Sequence, residues 1–134
     1  MVYPMFALVL LTFAVLVILF RARVAAVRAG QLPVAYFRLY QGGEEPESTK
    51  KPARHLANLF ETPVLFYVVC LAAMVTHADS LPMRLLAWAY VAARGVHAFV
   101  HIRGNRLSKR MWAYFVSLIL LLALWITLVT AISA

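Results

Sequence analysis

Three groups of residues in this sequence have the types and the spacing to do chemistry. Arg54, Asn58 and Glu61 recur at i, i+4 and i+7, so on a helix they share one face. Arg94, His97 and His101 recur at i, i+3 and i+7 and do the same. Arg110 and Tyr114 form an i, i+4 pair farther along, and Arg21 ends a long apolar run near the start. Cations outnumber the single carboxylate in these groups, and guanidinium, amide and imidazole donors together make a receptor for an anion. A ligand carrying carboxylates would complete them.

Other uses of the same residues compete with that one. Glu61 can pair with Arg94 or Arg54 while the outer arginines reach up to phosphate headgroups. His97 and His101 at i and i+4, with Glu61 as a third ligand, outline a metal or haem site, but the neighbouring arginines oppose a cation and no metal is expected. A small multidrug-type transporter would use Glu61 as a proton-coupled cation site. That role asks for a deep carboxylate away from competing cations, whereas Glu61 lies near several arginines.

The elements that must position these groups belong in a membrane. Of the 134 residues, 64% are hydrophobic and only 13% are charged, too apolar a balance for a water-soluble domain. Crossing about 30 Å of hydrocarbon takes roughly 20 helical residues. Four runs meet that length, at about 3–27, 53–76, 81–101 and 111–132. The first continues through Arg21, Arg23 and Arg28 to Gly30, a helix stop. Its positive charge follows the apolar run, the reverse of a cleaved signal, so the segment is expected to be retained. The second starts near Pro52, passes Asn58 and Glu61, and should be kinked at Pro63. The third follows Asp79-Ser80 as a cap, and the fourth fills Met111 to Ile132. Between the first two, residues 31–51 hold Gly42-Gly43 and the glutamates at 44, 45 and 47, which reads as an exposed loop with its acids serving solubility.

Short connections between antiparallel spans imply an all-α, four-transmembrane-helix bundle in a single domain, residues 1–134. Trp88, Trp112 and Tyr114 suit interfacial anchoring. Thirteen Lys and Arg against five Asp and Glu leave a net charge of +8. The basic residues crowd the first and third connections, while the second offers only Arg84. By the positive-inside rule both termini then face outward, and all the polar groups fall in the cytoplasmic leaflet. Nucleic acid is excluded as a partner, because the basic residues flank membrane spans and no binding motif accompanies them. The lone Cys70 permits no disulfide framework.

The stretch Arg54-His-Leu-Ala-Asn58-Leu-Phe-Glu61-Thr-Pro63, followed by Val-Leu-Phe-Tyr, resembles the signature of the MAPEG family, the membrane-associated proteins of eicosanoid and glutathione metabolism. Arg94-Gly-Val-His97-Ala-Phe-Val-His101, the basic connection ending in Arg110 and the aromatic Tyr114 resemble the family's third helix and its catalytic-arginine segment. The chain departs from the mammalian pattern at Ala57, His101 and Met111, as a divergent, bacterial-type member would. What the resemblance implies is a homotrimer of four-helix subunits in the cell (inner) membrane, with glutathione held between neighbours near the cytoplasmic side. Arg54, Asn58, Glu61, Arg94 and His97 would contact the tripeptide. Arg110 would stabilise its thiolate with help from Arg21 or Tyr114, since a nearby guanidinium lowers a thiol pKa and raises the nucleophilic fraction. A lipophilic epoxide or hydroperoxide would arrive through the lipid, making the protein a transferase or peroxidase. The alternative of a different class is a non-catalytic membrane protein whose site binds an anionic lipid or stabilises an oligomer.

Overall fold

A computed structural model describes residues 1–104 and 106–133. Its elements are α1 (Val2–Arg28), α2 (Tyr36–Leu39), α3 (Glu47–Leu59), α4 (Thr62–Val75), α5 (Leu81–Phe99), a π-helical turn (Val100–Gly104) and α6 (Leu107–Ser133), with no strand among the described residues. Four stretches are long and apolar enough to cross a membrane: α1, the α3–α4 pair taken as Glu47–Val75, α5 with its π turn, and α6. Their outward faces carry Phe6, Phe13, Phe20, Leu65, Leu85, Ile119 and Ile126, each more than half exposed or at half. Such surfaces are stable against lipid and unstable against water.

The α5 helix packs most extensively on α6 and also on α1; α1 lies against α3, and α4 against α6. Helices surrounded by lipid gain nothing from hiding apolar groups, so close approach through small residues decides which faces meet. Ala73, Ala87, Ala98 and Ser117 are buried at these contacts. Around them Leu8, Phe66, Val69, Cys70, Met83, Tyr90, Leu121 and Leu124 form the apolar core. Phe66 of α4 stacks on Tyr90 of α5 with ring centroids 4.5 Å apart and planes 15° from parallel. One stripe of α5 changes character along its length. Met83, Ala87 and Tyr90 pack in the core, and the same face continues into buried Arg94, His97 and His101.

Several helix boundaries differ from those read in the sequence. The second span begins at Glu47, not near Pro52, and Pro52 lies buried within α3. Thr49 Oγ1 donates to the Pro46 carbonyl at 2.9 Å, and Lys51 pairs with Glu47 one turn earlier at 2.7 Å, which extends the helix upstream. The segment expected as an exposed loop contains α2, whose Tyr36 is buried and makes edge-on contacts with Phe37 and Tyr40. Glu44 is exposed and paired with Lys50 at 2.8 Å. Ser80 occupies the cap position of α5 but makes no side-chain cap bond. Asp79 is committed elsewhere, accepting a 2.8 Å bond from Arg84 Nε. The fourth span starts at Leu107 rather than Met111.

Gly30 does terminate α1. Its φ of +67° lets Gln31 N–H reach the Ala26 carbonyl and its own N–H reach Val27, the reciprocal pattern that caps helix C-termini. The same pattern ends α4 with His77 at φ 57°, where Ala78 N–H bonds Ala73 and His77 N–H bonds Met74.

Candidate functional site

Pro63 shapes the site by what its ring removes. It has no N–H to return to the Leu59 carbonyl, and its ring disfavours helical backbone at the preceding residue. The expected kink is therefore a full break: α3 ends at Leu59, Glu61 adopts φ −89° and ψ −99°, and α4 restarts at Thr62. Asn58 is left in the last turn of α3 with its carbonyl available. Arg94, rising from α5 and wholly buried, takes it. Its Nη2 donates to the Asn58 side-chain Oδ1 at 2.7 Å and to the Asn58 backbone carbonyl at 3.2 Å. The Asn58 amide in turn donates through Nδ2 to Glu61 Oε2 at 3.0 Å. A relay thus runs from a buried guanidinium through an amide to an exposed carboxylate, crossing the helix break.

Beside this relay lies a cavity of about 370 Å³, lined by Arg54, Asn58, Glu61, His97, His101, Arg110, Met111, Tyr114 and Phe115. A second cavity of about 290 Å³ shares Arg54, His101 and Arg110 and is rimmed by Glu44, Glu47, Lys50 and Lys51. The fold therefore brings together Arg54, Asn58, Glu61, His97, Arg110 and Tyr114 around one cavity. Tyr114 faces this cavity and is only partly exposed, unlike Trp112, which is 72% exposed. Two expected members stand apart. Arg94 does not line the cavity and instead props Asn58 from behind. Arg21 is exposed on α1, beside a different cavity with Phe20, Val24, Ala25, Arg28 and Ala29. Nor does Glu61 form an ion pair with Arg94 or Arg54 among the described residues, since its carboxylate takes the Asn58 amide.

His55 is the residue that sequence reasoning missed. It is wholly buried, and its ring centroid lies 5.1 Å from those of both His97 and His101, which are 5.7 Å from each other. His97 also lies 5.7 Å from Tyr114. The signal was available, because His55 precedes Asn58 by three positions and so shares its helix face. The bulge that follows α5 turns His101 toward this cluster, and π-type turns recur at functional sites. Although three imidazoles gather here, no group of three or more His, Cys, Asp or Glu among the described residues is placed to hold a metal ion.

Chemically the cavity gathers two guanidinium groups, Arg54 and Arg110, an amide, one carboxylate and two imidazoles, together with Met111 and Phe115. Carboxylates of a ligand suit the arginines, and an ammonium group suits Glu61. The family model that matches the chain is that of the MAPEG family, over residues 1–130. No curated protein and no solved structure matches the chain.

Proposed function

The chain belongs to the MAPEG family of membrane proteins, and from that premise we propose that it is a glutathione-dependent transferase or peroxidase acting on lipophilic electrophiles. The observation that carries this reading is the cavity in which Arg54, Glu61 and Arg110 meet beside the Asn58 relay. Glutathione carries carboxylates, one ammonium group and a thiol that ionises, and the cavity offers one guanidinium for a carboxylate, a second for the thiolate and one carboxylate for the ammonium. In this reading Arg54 takes a carboxylate, Glu61 the ammonium and Asn58 the peptide backbone, while His97 and Tyr114 border the chain of the tripeptide.

Arg110 lies beside the sulfur. A free thiol is mostly protonated at neutral pH, and a guanidinium at hydrogen-bonding distance favours the thiolate, the form that attacks. Met111 and Phe115 give the electrophile an apolar approach from the lipid. Arg21, which borders a different cavity within one subunit, fits an assembly in which a neighbouring copy brings it to the site. We therefore propose a homotrimer with both termini outside and the site at the cytoplasmic leaflet of the cell membrane.

Isothermal titration of glutathione into the purified protein, paired with turnover of a model epoxide, tests the reading. Saturable binding and a loss of turnover of about 100-fold in Arg110→Ala, the scale of a lost charge-stabilising donor, are expected. Absence of binding, or unchanged turnover in Arg110→Ala, contradicts it. In the first case retained phospholipid that glutathione fails to displace in native mass spectrometry would favour a lipid-binding role.

A further inference from the structure

Forming a thiolate requires a group that accepts the proton, and no arginine can serve. A guanidinium remains protonated in proteins and has no acceptor site. Of the other residues lining the cavity, Asn58 is bonded to both Arg94 and Glu61, the Glu61 carboxylate is the group assigned to the ligand's ammonium, and the Tyr114 phenol takes up a further proton far less readily than an imidazole does. The imidazoles of His97 and His101 remain, each offering one acceptor nitrogen when neutral. Both form part of the cavity wall although they are only 3% and 6% exposed. Their Nδ1 atoms are buried without a hydrogen-bond partner, and so are both ring nitrogens of His55 behind them. The charged groups acting on the cluster are Arg54 from α3, Arg94 from α5 and Arg110 from α6, with Tyr114 beside His97, and these guanidinium groups oppose a charged imidazole unless a thiolate forms beside it.

We propose that this histidine cluster is the proton acceptor and donor of the site, and that His101 is the imidazole that meets the bound thiol. The inference rests on the glutathione reading above. His101 is singled out because it lines both cavities together with Arg110, the residue assigned to the sulfur. The S–H bond breaks, its proton joins a ring nitrogen of His101, and the electron pair stays on sulfur beside Arg110. The thiolate then bonds to an epoxide carbon, the carbon–oxygen bond breaks, and the resulting alkoxide takes the proton back from the imidazolium. Proton and charge balance within the site, with no outside oxidant, reductant or acid. His55 and His97 are positioning residues: their rings pack against that of His101.

The test counts protons. Glutathione is titrated into the intact protein near neutral pH in two buffers of different ionisation enthalpy, while ultraviolet absorbance reports the thiolate formed. In the wild type, thiolate should form with close to no proton released to buffer. In His101→Gln, glutathione should still bind, with about one proton released for each thiolate, and epoxide turnover should fall at least about 100-fold, the usual range for a lost acid–base group. His55→Asn should keep the proton count near zero and shift the pH profile of turnover. Release of one proton per thiolate by the wild type, or a count still near zero in His101→Gln, overturns the proposal while leaving glutathione binding in place. Failure of the wild type to bind glutathione overturns the functional reading itself. A wild-type count of one overturns the proposal even if a variant fails to fold.

Discussion

The Arg94 guanidinium donates to both oxygens of Asn58, the side-chain Oδ1 at 2.7 Å and the backbone carbonyl at 3.2 Å. This contact joins α5 to the end of α3 where Pro63 interrupts the second span, and it fixes the face that Asn58 turns toward Glu61 and the cavity. Arg94 is thus a support for the site rather than a wall of it.

Removing either partner has unequal consequences. Asn58→Leu takes the acceptors away from a buried guanidinium and should destabilise the protein by about 3 kcal/mol. Arg94→Met removes the charge together with its unbonded nitrogens and should change stability by no more than about 1.5 kcal/mol, because an apolar side chain of similar length packs without a desolvation cost. Reversible unfolding in mixed micelles measures both. Equal losses would mean that the contact is not what makes Asn58 necessary.

Pro63→Ala restores the missing N–H and removes the clash with the preceding turn. The span should straighten, raising helix content slightly, while Asn58 moves off Arg94. Glutathione affinity is expected to fall about tenfold or more, equivalent to about 1.4 kcal/mol or more. Unchanged affinity in a folded Pro63→Ala protein would show that the break does not position the relay.

The far end of the bundle carries an acid-sensitive contact. The hydrogen bond from Arg84 holds the Asp79 carboxyl below the usual carboxylate range. A carboxyl whose folded pKa is depressed contributes stability that is fully present above its unfolded value, about 3.9, and is lost as pH falls through the lower folded value. Thermal midpoints should therefore drop on acidification below about pH 4, and Asp79→Asn should flatten that part of the curve. The effect is small, because Arg84 is half exposed and solvent screens the pair.

Two helix ends predict substitutions of opposite sign. At Gly30, φ +67° with open space around the missing Cβ, Gly30→Ala introduces backbone strain alone and should destabilise by about 1 kcal/mol. At His77, φ 57°, the strain is already present, and His77→Gly should stabilise by about 0.5–1 kcal/mol. Thermal unfolding of the two variants compares them directly.

The spans were legible because lipid imposes a length and a composition that few other structures share. Asn58 and Glu61 were legible as neighbours on one helix face because helical spacing survives up to the break, although the carboxylate was expected to pair with an arginine and takes the Asn58 amide instead. Arg94 read as a ligand contact from its type, and its burial behind Asn58 follows from how α5 packs on the neighbouring helices, which spacing on α5 alone does not encode. The early start of α3 was hidden by polar residues that resemble a loop until Glu44 and Glu47 are seen paired with Lys50 and Lys51. His55 shares the face of Asn58, but only the fold shows that this face meets His97 and His101. The distance of Arg21 from Arg110 is likewise a property of the packed bundle and not of α1.

Ultraviolet difference spectroscopy of glutathione bound to the wild-type protein and to Arg110→Ala tests the central claim most directly. A thiolate band at neutral pH in the wild type, absent from an Arg110→Ala protein that still binds glutathione, is the predicted result. The same band in both proteins, or in neither, contradicts the assignment of this cavity as a thiol-activating site.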